Sequence, residues 1–231
     1  MAQHNRKYSK ITSTKVLSYA LLAGSVTLAL EAGATPVGIS LGVGSLGPGA
    51  SVSYSAHPKL NVRLGVNRFD QDFDLEVEEI DYQGEVQLKT VTAMLDWHPW
   101  ASGFRFSAGL VRNANQITGS AKPANGSIEF NGQTIDLADA GRVDAEVDFN
   151  PTVPYLGLGW GNAAKGGGLS FFTDLGVMFQ GRPNVDITVE HLAEAGLDQS
   201  DVDAEIENMK DEVESYGGLY PVVTIGIAYN L

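Results

Sequence analysis

Residues 220–231 read YPVVTIGIAYNL. Val223, Ile225, Ile227, Tyr229 and Leu231 are apolar at every second position. Thr224, Gly226, Ala228 and Asn230, between them, are small or polar. A period of two describes a strand with one apolar face and one polar face. A soluble domain has little reason to carry such a strand at its end. The closing strand of a transmembrane β-barrel of the Gram-negative outer membrane has that pattern for a physical reason: lipid lies on one side of it and the lumen on the other.

The opposite end agrees. Arg6, Lys7, Lys10 and Lys15 form a positive segment, VLSYALLAGSVTLAL (Val16–Leu30) is mostly apolar, and Ala32-Gly33-Ala34 supplies small residues. This is the pattern of a secretory signal cleaved after Ala34. An anchor helix needs roughly 20 apolar residues, and the stretch is too short. The expected division is therefore a signal over residues 1–34 and an outer-membrane barrel domain over 35–231. Losing four of the 15 basic residues and Glu31 of the 28 acidic ones leaves a net charge of 11 − 27 = −16. That balance disfavours a nucleic-acid partner, which is bound through basic patches. Cysteine is absent, so disulfides, thiol nucleophiles and cysteine metal sites are excluded. The mean hydropathy of −0.05 does not argue against a membrane barrel, because alternation hides hydrophobicity from averages. The 27 glycines suit a narrow lumen.

Further alternations run along the chain. Val37, Ile39, Leu41 and Val43 give way at Ser45–Gly49 to Val52, Tyr54 and Ala56, as a hairpin or one bulged strand. Leu60, Val62, Leu64 and Val66 follow the His57-Pro58-Lys59 turn. The phase slips near Arg68 and resumes as Phe69, Phe73, Leu75 and Val77, against Asp70, Asp72, Asp74, Glu76 and Glu78, so a bulge is expected there. Val91, Ala93, Leu95 and Trp97 precede the Pro99–Gly103 turn, and Phe104, Phe106, Ala108 and Leu110 return. Residues 113–142 read as polar, with a small hairpin around Asn131-Gly132. Val143–Phe149 continues past Pro151 and Pro154 to Leu156, Leu158 and Trp160. Leu169–Phe179 follows a loose turn. Ser200 as N-cap, with Val202, Ile206, Met209 and Val213 spaced 4, 3, 4, marks one amphipathic helix.

With the final strand the count is eight, which fits an up-and-down antiparallel barrel. His57-Pro58, Pro99–Ser102 and Asn162–Gly168 become short periplasmic turns. The segments around 70–85, 113–146 and 184–217 become long outer loops. Trp97, Trp100, Phe104, Trp160, Phe171 and Tyr229 fall near the periplasmic ends, as an interfacial girdle would. A soluble secreted barrel or sandwich is the alternative; it would leave glycine, serine and charge on its outside.

PYLGLGWG (Pro154–Gly161), DWHPW (Asp96–Trp100), GFRFSAGL (Gly103–Leu110) and the YPVVTIGIAYNL ending resemble a family of small proteobacterial outer-membrane barrels, loosely similar to OmpA-like and OmpW-like barrels and porin-like in build. The resemblance spans about residues 37–231 and implies fold and location without an activity. It implies outer-membrane lipid and the outer-membrane assembly machinery as partners, the latter reading the terminal strand through Tyr229 and Leu231. Phenylalanine is the usual last residue, so Leu231 departs from the pattern. A monomer without a cofactor is expected.

Four charged residues, Arg63, Asp96, Arg105 and Asp174, take lumen positions by parity. An eight-stranded lumen is only wide enough for side chains, and unpaired charge there is costly. A charge-paired plug is expected, with a narrow ion path as the alternative. Asp70, Asp72 and Asp74 are candidate ligands for a divalent cation. Leu75 stands where a calcium loop requires glycine, so a solvated strand face is the simpler reading. GLGWG and GVGSLGPG lack the P-loop lysine and the following helix. Catalysis is not expected: His57, His98 and His191 accompany no G-x-S-x-G element, and Ser107 and Ser170 read as small lumen residues. A lipid-modifying enzyme and a binding barrel for a small or hydrophobic molecule are the rival functions. Leu175 is expected to face lipid, and Gly176 to face the lumen and to tolerate serine.

Overall fold

The alternating segments assemble into a closed eight-stranded antiparallel barrel, with one helix among the described residues. The computed structural model describes residues 35–77, 80–123, 127–130, 133–136, 141–191, 198–215 and 218–231. The signal-like segment 1–34, with Glu78, Glu79 and the Asn131-Gly132 turn, lies outside the described residues. The strands are β1 (Val37–Gly44), β2 (Gly47–His57), β3 (Leu60–Val77), β4 (Ile80–Trp97), β5 (Phe104–Asn113), β6 (Gln116–Pro123), β7 (Ser127–Phe130), β8 (Gln133–Asp136), β9 (Val143–Asp148), β10 (Thr152–Trp160), β11 (Gly168–Phe179), β12 (Asn184–Val189) and β13 (Leu219–Asn230). Helix α1 spans Gln199–Ser215. The barrel order is β1-β2-β3-β4-β5-β10-β11-β13, and β13 closes on β1 from Gly38↔Asn230 to Gly44↔Thr224.

Parity sorts the side chains as alternation requires. Leu64, Val91, Leu110, Leu175 and Ile225 point outward and are at least half exposed. Ser53, Asn61, Asp96, Arg105, Ser107 and Asp174 point inward and are buried. Residues 37–56 form a hairpin, which settles the alternative left open by the sequence. Gly47 begins β2 at φ 83, where a Cβ would stand 2.6 Å from that of Phe69, so glycine is required.

The structure corrects three expectations. No bulge occurs near Arg68: β3 pairs with β4 in unbroken register from Leu60↔Trp97 to Val77↔Ile80. Polarity inverts there instead. The outward row Val62, Leu64, Val66 continues as Arg68, Asp70, Asp72 and Asp74, while Phe69 and Phe73 take the inward face. The outer segments, second, are largely sheet. The β5–β6 register on β4 and the β9–β10 register on β6 and β5 carry straight through their short interruptions. β12 extends β11 beyond Pro183 and pairs with β9. A five-stranded wall, β3-β4-β6-β9-β12, thus rises above one side of the barrel. Polar and acidic alternation had looked like loop because the apolar face had changed sides. Third, Asp198 caps α1 rather than Ser200. The Asp198 carboxylate accepts from the backbone N–H of Ser200 (2.8 Å) and Asp201 (3.2 Å), and Asp201 accepts in return from Asp198 N–H at 3.0 Å. These bonds, first among them one from the Ser200 hydroxyl, hold the Asp198 carboxyl below the usual carboxylate range. The helix packs on β12, where Val202 and Val185 are buried.

Candidate functional site

The lumen is filled in layers. At the short-turn end, Asn61 donates through Nδ2 to Asn162 Oδ1 (2.9 Å) and meets His98 Nε2 at 3.2 Å. His98 Nδ1 faces the carbonyl oxygens of Ser102 (2.9 Å) and Phe104 (3.1 Å), which places its proton on Nδ1 and leaves Nε2 to accept. The ring is fully buried in the turn after β4, and that burial lowers its proton affinity below the ordinary histidine range. These bonds tie the start of β3 to the β4–β5 and β10–β11 turns.

The charged layer lies directly above. Arg63 on β3 grips Asp96 on β4 with two bonds, Nε–Oδ2 at 2.8 Å and Nη2–Oδ1 at 3.0 Å, and reaches Asp174 on β11 through Nη1 at 3.1 Å. Arg105 on β5 donates to Asp174 Oδ1 at 2.7 Å and to the carbonyl of Gly161. Its Nε has no hydrogen-bond partner, but Asp96 Oδ2 stands 3.9 Å away and compensates the charge. Ser107 donates to Asp96 at 2.6 Å. The structure therefore brings together all four lumen charges picked out by parity, and each arginine is shared between both aspartates. The charge count balances, and both aspartates and Arg105 are at most 5 % exposed. Charge-assisted bonds of this kind are among the strongest in proteins.

The layer above is one the sequence did not disclose. Leu46, Met94, Val111, Val153, Tyr155, Met178 and Val222 form a buried apolar cluster inside the barrel. Inward parity had implied a polar lumen; six of these residues stand on that parity, and Leu46 folds in from the β1–β2 turn. The Tyr155 ring lies over the cross-strand pair Gly157 and Gly176, and a Cβ on Gly176 would meet the Tyr155 oxygen at 2.2 Å. A side chain at Gly176 therefore requires the Tyr155 ring to shift, a constraint that the sequence reading did not include. Asn113 bonds Gln180 (2.9 Å) and Asn67 bonds Thr90 (3.0 Å) nearer the rim. Two small spaces lie in the lumen among the described residues: about 70 Å³ above the charged layer, bordered by Tyr155, and about 10 Å³ beside Arg105 and His98, room for about one water.

The remaining candidates are dispersed over the outside. Trp97, Trp100, Trp160, Phe171 and Tyr229 are exposed at the short-turn end, with Phe104 half-buried among them. Trp97 stacks on Phe106 at 5.7 Å, and Trp100 meets Phe104 at 5.4 Å with its ring tilted by 45°. Tyr229 lies opposite Ile39 on the closing seam, and Leu231 donates its N–H to the Val37 carbonyl. Asp70 is held by Arg68 (2.7 Å) and Lys89 (3.6 Å). Asp72 and Asp74 are exposed on an outward acidic face with Glu85, Glu146 and Asp186. Among the described residues no group of three or more His, Asp or Glu is arranged to hold a metal ion. No serine hydroxyl there is bonded to a histidine ring, and Ser107 is committed to Asp96.

A closed barrel with an apolar exterior, a polar and ion-paired inner layer and aromatic residues at one edge has the build of a membrane-spanning β-barrel. Among solved structures, CarO and CarO2 of Acinetobacter baumannii share that fold. CarO superposes with a TM-score of 0.57 at 23% identity, covering 84% of this chain and 97% of that one. CarO2 does so with 0.58 at 21% identity, covering 85% and 99%. At this identity the likeness is one of fold. No protein-family model matches the chain, and no curated protein does.

Proposed function

We propose that this protein is a non-enzymatic barrel of the Gram-negative outer membrane with a structural, surface-exposed role and a closed lumen. The observation that carries the reading is the Arg63–Asp96–Arg105–Asp174 network, four neutralising charges contributed by four strands across the whole bore. The apolar cluster above supports it, because an ion crossing that layer would lose its hydration without compensation. The protein is exported by its N-terminal signal, its final strand is read by the assembly machinery, and it works as a monomer. The rival is a narrow ion path through the same charges. Planar-bilayer recording separates the two. The unmutated barrel is expected to be silent, and large, steady single-channel conductance would replace this reading with the transport one.

A further inference from the structure

Eleven basic residues follow the signal-like segment, and three of them meet on one patch of the barrel's outside. Arg68 on β3 lies directly opposite Lys89 on β4. Arg112 on β5 lies opposite Val91, two residues from Lys89, so its side chain is a diagonal neighbour; such neighbours sit roughly 7–8 Å apart. All three point outward, and Arg68 and Arg112 are well exposed. Immediately below them the outward face is apolar, with Val66, Val91 and Leu110 each more than half exposed. Immediately above, it is acidic: Asp72, Glu85, Thr118, Glu146 and Asp186 form one cross-strand row over five strands. The three cations therefore occupy the border where the apolar belt ends. Asp70 offsets part of their charge through Arg68 and Lys89, and among the described residues Arg112 makes no ion pair. The opposite border of the belt is built differently, with exposed tryptophans and Tyr229.

We infer that Arg68, Lys89 and Arg112 form a binding site for the phosphate groups of a phosphorylated glycolipid in the facing leaflet. The inference rests on the membrane reading above, which sets the belt border at the depth of lipid headgroups. Arginine presents a fork of donors matched to phosphate oxygens, and lysine adds a point charge. The acyl chains of the same lipid lie against Val66, Val91 and Leu110. The acidic wall above repels free anions, so charge complementarity confines an anionic headgroup to this patch. Asp70 fixes Arg68 and Lys89 in place, which lowers the ordering cost of holding a ligand.

The test uses the folded barrel in phosphatidylcholine vesicles carrying bisphosphorylated lipid A, the same lipid without its phosphates, or phosphatidylglycerol. Lipid retained after detergent extraction is counted by native mass spectrometry. The unmutated protein should retain bisphosphorylated lipid A in preference to both others. The combined substitution Arg68→Gln, Lys89→Gln, Arg112→Gln should weaken retention by roughly 10-fold or more, since each basic residue near a charged surface contributes substantially to lipid affinity. Arg112→Gln alone, which leaves the Asp70 pairs intact, should give part of that loss. Lys59→Gln with Lys165→Gln, at the other end, should give none. Equal retention by the unmutated and substituted barrels, or equal retention of the dephosphorylated lipid or of phosphatidylglycerol, would overturn the site alone. Failure of the unmutated chain to insert into phosphatidylcholine would overturn the membrane reading and the site with it.

Discussion

At the scale of single residues, strand parity and the narrow bore together dictate the charged layer of the lumen. Arg63, Asp96, Arg105 and Asp174 could only point inward, and a bore of eight strands leaves inward charges nowhere to go but to one another. Arg105→Ala should therefore destabilise the barrel by roughly 3–5 kcal/mol, the usual cost of removing one partner of a buried pair. Combined with Asp174→Ala the loss should fall short of the sum, because the two share a bond; additive losses in urea unfolding would contradict the coupling. Tyr155 was not readable. A glycine on an inward position reports free space, and only the structure shows that Gly157 and Gly176 are small because the Tyr155 ring covers them. Gly176→Ser is expected to cost about 1–3 kcal/mol through overpacking, and much less in a Tyr155→Leu background. His98 directly precedes the Pro99–Gly103 turn, and the turn carbonyl oxygens that hold its ring leave no sequence signal. Its neutral, buried form carries a pH dependence. The folded barrel binds this proton less readily than the unfolded chain, whose histidines titrate near pH ~6.5. Stability is therefore complete above that pH and is lost as the pH falls through the lower folded value. The unfolding midpoint of the unmutated barrel should drop over this range more steeply than that of His98→Gln.

At the scale of elements, a strand here carries two polarity codes end to end. Below Arg68, alternation means apolar outside and polar inside; above it, the code reverses without a change of register. A sequence reading that assigns faces by hydrophobicity must interpret such a reversal as a slip, because nothing local to Arg68 separates a bulge from a change of surroundings. The same ambiguity disguised β6 and β12 as loop, whereas β9 coincides with the alternation at Val143–Phe149. Helix α1 was found by its spacing of apolar residues, and its cap was displaced by two residues because both Asp198 and Ser200 are good N-caps. The reversal makes a prediction about position. Leu175 stands in a cross-strand row with Leu158 and Val223, deep in the apolar belt. Leu175→Arg should cost roughly 2–4 kcal/mol on folding into vesicles. Thr118→Arg, on the outward face above the reversal, should change stability little. Comparable losses at both sites would mean that the belt border is misplaced.

At the scale of the whole molecule, closure was legible in the even strand count and the paired terminal patterns, whereas the device that locks the seam was not. Asn230 looked like one more small polar lumen residue. In the structure it is buried and bridges three parts of the chain. Its Nδ2 donates to the carbonyls of Thr35 and Val37, both at 3.0 Å, and its Oδ1 accepts from Gly167 N–H at 3.1 Å. These bonds hold the start of β1, the end of β13 and the β10–β11 turn together. Thr35 adds its own bonds to the Leu231 carbonyl, from N–H and hydroxyl at 2.7 Å each. A barrel has no free edge at which to begin fraying, so opening it requires the seam to part. A typical hydrogen bond contributes about 1 kcal/mol net. Asn230→Ala, which removes three and leaves the Thr35 carbonyl and the Gly167 N–H to find new partners while Val37 keeps the Leu231 N–H, should destabilise the barrel by about 2–3 kcal/mol. The measurement is the temperature at which the detergent-extracted protein converts from its fast-migrating to its slow-migrating gel form. Asn230→Ala should convert at a clearly lower temperature than the unmutated chain. Ser55→Ala, whose hydroxyl bonds only the local His57 carbonyl away from the seam, should convert with the unmutated protein. If both substitutions shifted the conversion alike, the seam would hold no special place in the stability of the barrel. A protein whose migration ignored boiling altogether would not be a closed membrane barrel.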